Sequence, residues 1–200
     1  MDDNGCELKD QVNITAPAPL ELKVEPETAL TLGDSASINL FTNIPDNEIA
    51  DIEWTPALGL SCDDCLQPMV KPLRTQEYQV RLMDINGCEI DATTRFLVDA
   101  NPQVYLPTAF SPNNGDGVND RFTVFAKSSS VQLVKTLRVF DRWGNLVFER
   151  SNFAPNDLEL GWDGRFNSRL LRPQVFVYFA EVTMIDDRDL MFRGDVALVE

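Results

Sequence analysis

The first residues able to do chemistry are Cys62-Asp63-Asp64-Cys65, two thiols with two residues between them. That spacing serves dithiol redox enzymes, zinc sites and tight loop staples. A redox pair sits in a βαβ setting, and tetrahedral zinc takes four ligands. Here histidine is absent, and the other cysteines, Cys6 and Cys88, lie far away in sequence. The flanking Asp63 and Asp64 also disfavour a reactive thiolate. A structural Cys62–Cys65 disulfide is the leading reading, with Cys88 paired to one of the two as its rival. Either pairing implies an oxidising compartment.

The second candidate is the loop Ser111-Pro112-Asn113-Asn114-Gly115-Asp116-Gly117-Val118-Asn119-Asp120. Its side-chain oxygens suggest calcium, a hard cation that takes about six to eight of them, with Asp116 and Asp120 as the candidate ligands. The loop lacks the spacing and closing glutamate of an EF-hand. Asn and Asp also populate turns because their side chains cap their own backbone. Both readings stand, and the sequence implies no other cofactor.

With no histidine, the commonest general base and the commonest metal ligand are missing. No nucleophile–base pair or carboxylate dyad stands out either, so catalysis is not expected. The formal net charge of −15 repels phosphate backbones and makes nucleic acid a poor partner. No apolar run approaches the length of about 18 residues that spans a bilayer.

The elements that position these residues read as strands. Ala36-Ser37-Ile38-Asn39-Leu40 and Tyr78-Gln79-Val80-Arg81-Leu82 alternate apolar and polar side chains, the pattern of a half-buried strand. Gly, Pro, Asn and Asp interrupt at Leu32-Gly33-Asp34, Pro45-Asp46-Asn47, Asn86-Gly87 and Trp143-Gly144-Asn145, the rhythm of antiparallel sandwiches. The best helical stretch, Ser128 to Val134, allows one turn at most. Trp54 is expected in a core. Val175 to Met184 reads as a central strand apolar on both faces. Met191 to Val199 reads as a last strand tied into the sheet.

An internal repeat divides the chain. Asn4-Gly5-Cys6-Glu7-Leu8 returns 82 residues later as Asn86-Gly87-Cys88-Glu89-Ile90, a spacing of one sandwich domain. Residues 1–100 hold 19 of the 32 acids and 6 of the 17 bases, so the charge balance shifts near Asn101. The expected division is a remnant of a preceding repeat plus a stiff Ala16-Pro17-Ala18-Pro19 linker at 1–19, one sandwich at 20–100 and another at 101–200. On this reading the chain opens inside a preceding copy and Met1 is an addition to it.

Two resemblances follow from these motifs. The stretch from Trp54-Thr55-Pro56 through the cysteine loop to Asp84-Ile85-Asn86-Gly87-Cys88 resembles the immunoglobulin-like, PKD-like repeats of bacterial surface adhesins, which implies a spacer module. Tyr105-Leu106-Pro107-Thr108-Ala109-Phe110-Ser111-Pro112, Gly115-Asp116-Gly117-Val118-Asn119-Asp120-Arg121-Phe122, Phe140-Asp141-Arg142-Trp143-Gly144-Asn145, Gly161-Trp162-Asp163-Gly164 and Phe192-Arg193-Gly194-Asp195-Val196 resemble, in order, the gliding-motility-associated, type B C-terminal domain of type IX secretion. This chain departs from that pattern in three places. Asn113-Asn114-Gly115-Asp116 is one residue longer, Gln174 stands where glycine is common, and Asn167-Ser168 replaces an Asn-Gly turn.

Together the resemblances imply an all-β chain of two tandem antiparallel immunoglobulin-like β-sandwiches. They imply a non-enzymatic address that carries a large surface protein, an adhesin by its repeats, through the outer-membrane translocon to the cell surface. The implied partners are outer-membrane type IX components, including a membrane-embedded partner of type B cargo. Arg142, Trp143, Asn145, Trp162 and Asp163 are the candidate contacts, against the reading that they only shape turns. The competing function is a carbohydrate-binding module that stacks sugars on exposed Trp143, Trp162 and Tyr105.

Overall fold

The computed structural model describes residues 11–12, 18–112 and 117–200. The expected remnant around Cys6 lies largely outside the described residues, as does Asp116. The described chain is all-β, with a single helical turn, a 3-10 turn at Asp46–Glu48.

The first sandwich contains β1 (Leu22–Val24), β2 (Glu27–Thr31), β3 (Ala36–Ser37), β4 (Leu40–Thr42), β5 (Ile49–Thr55), β6 (Met69–Val70), β7 (Gln76–Asp84) and β8 (Glu89–Asp99). The second contains β9 (Val104–Tyr105), β10 (Ala109–Phe110), β11 (Phe125–Ala126), β12 (Val131–Phe140), β13 (Leu146–Phe153), β14 (Arg165–Phe166), β15 (Arg169–Leu170), β16 (Gln174–Met184) and β17 (Asp189–Leu198). A four-stranded sheet β2-β8-β7-β5 faces the pairs β1-β4 and β3-β6. A five-stranded sheet β10-β17-β16-β12-β13 is covered by the pair β9-β11 and by a bridge between Phe122 and Trp162. Alternation sends Tyr78, Val80 and Leu82 into one core with Trp54 and Phe96. It sends Phe176, Ala180, Val182 and Met184 into another with Phe110, Phe122 and Trp162.

Most pairings are antiparallel, yet β2 runs parallel to β8 and β10 runs parallel to β17. In both sandwiches the chain enters beside the strand by which it leaves, so the whole sandwich serves as the crossover a parallel pair requires. Apolar alternation carries no strand direction, which is why the sequence did not reveal these two edges. The last strand is tied in as expected: Ala197 N–H donates to Thr108 O at 2.8 Å and Val199 N–H to Phe110 O at 3.0 Å.

Ser128 to Ser130 form a turn and Val131 to Val134 begin β12, because β-branched Val131 and Val134 favour a pleated surface, which stays within the one helical turn at most that the sequence allowed. The central strand β16 lies between β17 and β12 as expected, but only one of its faces is covered. Val175 and Val177 remain 55% and 46% exposed.

Candidate functional site

The Asp141 carboxylate builds the hairpin between β12 and β13. Its Oδ1 accepts the backbone N–H groups of Trp143 and Asn145, both at 2.9 Å, and its Oδ2 accepts the Asn145 side-chain amide at 2.8 Å. Gly144 follows in the left-handed region at φ 81°, the residue that closes a three-residue hairpin. These hydrogen bonds, led by the Asn145 amide, hold the Asp141 carboxyl below its ordinary value.

The first sandwich contains the same device. Asp84 Oδ1 accepts the N–H groups of Asn86 and Cys88, both at 2.8 Å, and Gly87 has φ 82°. Asp-x-x-Gly is thus the shared frame, and Ile85-Asn86 occupies the positions of Arg142-Trp143. The turn requires neither arginine nor tryptophan. Trp143 stands 72% exposed, with the Arg142 guanidinium carbon 4.9 Å from its ring centroid. Arg142 Nη2 also donates to Gln174 Oε1 at 3.2 Å, which joins the tip to the start of β16.

From that junction an apolar surface runs along the uncovered face of the sheet. Phe140 pairs with both Leu146 and Val177. Leu146, Val175 and Val177 are all exposed. Sequence reasoning missed this face because a both-sides-apolar strand reads as doubly covered. It missed Asp141 too, although the Asp-x-x-Gly spacing shared with Asp84 was available as a signal.

The five candidate contacts therefore divide. Arg142 and Trp143 are displayed at the tip, and Asn145 beside them is bound into the turn. Trp162 is fully buried, packed against Phe176 at 4.8 Å and Phe110 at 5.1 Å between ring centroids. Its indole N–H donates to Arg165 O at 2.9 Å, so its side chain offers no surface to a partner or a sugar. Asp163 Oδ1 accepts the Arg165 N–H at 3.1 Å and caps that separate turn. Tyr105 is exposed, tilted against Phe125.

Cys62 and Cys65 form a disulfide, and Cys88 is a free, exposed thiol. The disulfide loop lies over Trp54, whose indole N–H donates to Cys65 O at 2.8 Å. At the Asx-rich loop, Ser111 Oγ and Asp120 Oδ1 are buried without a hydrogen-bond partner. No group of three or more metal-ligating side chains occurs among the described residues.

A cleft of about 910 Å³ lies between the sandwiches, with Leu58, Leu60, Met69 and Leu73 among its walls and Lys71 and Arg74 beside them. Tyr78 reaches it but spends its hydroxyl on Leu58 O at 2.9 Å.

Residues 104–198 match the family described as CHU_C Type IX secretion signal domain. No curated protein matches the chain. Among solved structures, the chain is similar to a PKD domain from the KIAA 1837 protein, at 17% identity and TM-score 0.34 over 43% of this chain and 92% of that one. It is similar to a tetra-tandem repeat in the extending region of a large adhesion protein, at 16% identity and TM-score 0.33 over 90% of this chain and 50% of that one. It is also similar to dimeric latent PorU from Porphyromonas gingivalis, at 12% identity and TM-score 0.32 over 91% of this chain and 20% of that one.

Proposed function

We propose that the type IX secretion signal domain at residues 104–198 works as a folded address, gripped by an outer-membrane component of the translocon at the Arg142-Trp143 tip and the adjoining apolar sheet face. The cargo is a surface adhesin, and the first sandwich is a spacer that holds the address away from it. Binding, not catalysis, is the activity.

One observation carries the choice of surface. Both sandwiches make the same Asp-x-x-Gly hairpin, but only the second mounts a cation–aromatic pair on it. Tryptophan and arginine are among the residue types that dominate binding hot spots, whereas turns draw chiefly on Gly, Pro, Asn, Asp and Ser. Leu146, Val175 and Val177 continue the contact along the face, an exposed apolar stretch of the kind that marks interaction sites.

The test is export of a periplasmic reporter fused ahead of residues 20–200 in a bacterium that owns type IX secretion. The reporter is expected outside the cell, and the Arg142→Glu, Trp143→Ala double variant is expected to be retained while still folded. Retention of the folded parent fusion would end the address reading. Export of the double variant at the parent's level would end the assignment of the tip.

A further inference from the structure

Leu32-Gly33-Asp34 follows β2 in the first sandwich, yet the Leu32 and Asp34 side chains are taken up by the second. Leu32 is fully buried, and it lies in the apolar cluster of Val131, Val182 and Met184, not in the cluster around Trp54. Val98, near the end of β8, packs against the same cluster. Leu32 N–H donates to Asp99 O at 2.9 Å, which fixes the turn to the strand that leads out of the first sandwich.

Gly33 fits by having no side chain. It has φ +88°, and a Cβ there would lie 2.0 Å from the backbone oxygen of Ser129. Asp34 completes the contact by charge: its Oδ1 accepts from Lys127 Nζ at 2.6 Å. On the other side of the junction, Arg188 Nη2 donates to Ala100 O at 3.0 Å and holds the connecting segment against the second sandwich. Three consecutive residues thus satisfy three different demands of one surface: an apolar socket, a backbone approach open only to glycine, and a cation. A loose encounter between tethered domains would not leave a leucine without exposed area or a glycine without room.

We propose that the end of the second sandwich formed by the 127–131 turn and the β16–β17 hairpin is an acceptor surface for a Leu-Gly-Asp turn of the unit preceding it, and that the exported address is this interlocked pair. The claim about export rests on the address reading above, whereas the acceptor surface stands without it. The first sandwich then sets the angle at which the Arg142-Trp143 tip is presented, in addition to spacing it from the cargo. A preceding unit fits this socket when it carries leucine, glycine and an acid in succession at this turn.

The experiment uses residues 1–200 with Leu32→Ser, Gly33→Val, Asp34→Lys, Lys127→Asp and the Asp34→Lys, Lys127→Asp exchange. Leu32→Ser and Gly33→Val are expected to lower the melting temperature of the second sandwich by several degrees. They should also reduce amide-exchange protection at Val131 and Met184 while leaving Val80 and Leu82 protected. Each single charge reversal should lower the melting temperature, and the exchange should recover most of the loss. Unchanged protection at Val131 and Met184 in both Leu32→Ser and Gly33→Val would overturn the acceptor surface. In the export assay, retention of folded Gly33→Val fusions supports the pair as the address. Their export at the parent's level overturns that part alone, and failure of the parent fusion points to the address reading instead.

Discussion

The ring of Tyr178 lies against Gly194, its direct cross-strand partner, and a Cβ at position 194 would sit 2.8 Å from the Tyr178 hydroxyl. The ring cannot yield easily, because its other neighbour is Phe122 at 5.2 Å between centroids. The glycine of Arg193-Gly194-Asp195 is therefore a packing residue: an aromatic side chain on β16 covers the gap it leaves on β17. Gly194→Ala should cost about 1–3 kcal/mol by overpacking, read as a lowered melting temperature of the second sandwich. Adding Tyr178→Phe removes the closest atom and should return part of the loss. Equal losses with and without the hydroxyl would show that the ring is not what the methyl meets.

The Cys62–Cys65 staple closes a very short loop, so its effect on the unfolded chain is small, about 2 kcal/mol. It also acts locally, because the loop supplies the carbonyl that accepts the Trp54 indole N–H. Replacing both cysteines by serine should lower the first sandwich's stability by about that amount and shift Trp54 fluorescence. Alkylation of the folded, unreduced protein should label Cys88 and spare Cys62 and Cys65. Labelling of either would mean that the pairing is wrong.

Acid should loosen this protein at its turns and charge pairs. Asp34, Asp84, Asp141 and Asp189 are all held below the ordinary carboxyl value, chiefly by Lys127, the Cys88 backbone N–H, the Asn145 amide and Lys135 respectively. A carboxylate depressed on folding adds stability above its unfolded value, about 3.9, and that contribution is lost as pH falls through the folded values. The net charge of −15 works the other way at first, since early protonation relieves repulsion. Denaturant midpoints should hold or rise from pH 7 to about 5 and fall below about 4. Asp141→Ala should flatten the acid limb of the second sandwich, and an unchanged limb would remove Asp141 from it. At the alkaline end Lys135 is raised, chiefly by its bond to Asp189. Its share is present below the ordinary lysine value and is lost only as pH rises past the folded one.

The strands and the turns at Asn86-Gly87 and Trp143-Gly144-Asn145 were legible because they depend on local pattern, alternation for the faces and glycine beside asparagine for the turns, whereas the carboxylate three positions before each glycine was not read. Ser168 was legible only as a departure. It takes φ 65° after Asn167 at φ 50°, the two left-handed residues of a hairpin that glycine would enter with less strain. What could not be read depends on contacts distant in sequence. Leu32 looks like any strand-end leucine until the fold places it in the buried cluster that holds Val131 and Met184. Trp162 and Trp143 sit in similar glycine-flanked turns, yet one is core and the other is surface. That difference is set by what folds over each turn, which neighbouring residues do not record.

Ser111 Oγ and Asp120 Oδ1 are buried oxygens without a donor, and an unsatisfied buried polar atom costs about 1–3 kcal/mol. Calcium, the cation that the side-chain oxygens of this loop suggest, would satisfy Asp120 Oδ1. Millimolar calcium should raise the melting temperature of the second sandwich, and chelator should reverse the gain. Asp120→Asn should abolish the response. Identical melting in calcium and in chelator would remove the ion from this loop.

The two tryptophans of the second sandwich separate folding from recognition. Trp162 is buried among Phe110, Phe148 and Phe176, and Trp162→Ala should cost about 3–5 kcal/mol, so any export defect would follow from unfolding. Trp143 is 72% exposed on a turn that the first sandwich builds with asparagine in its place. Trp143→Asn should therefore leave the melting temperature within about a degree and still reduce export. Arg142 loses its stacking partner in that variant, so Arg142→Glu should add little to it. If Trp143→Asn destabilises the domain as much as Trp162→Ala, the tip is structural. If it is stable and fully exported, the partner grips the domain elsewhere.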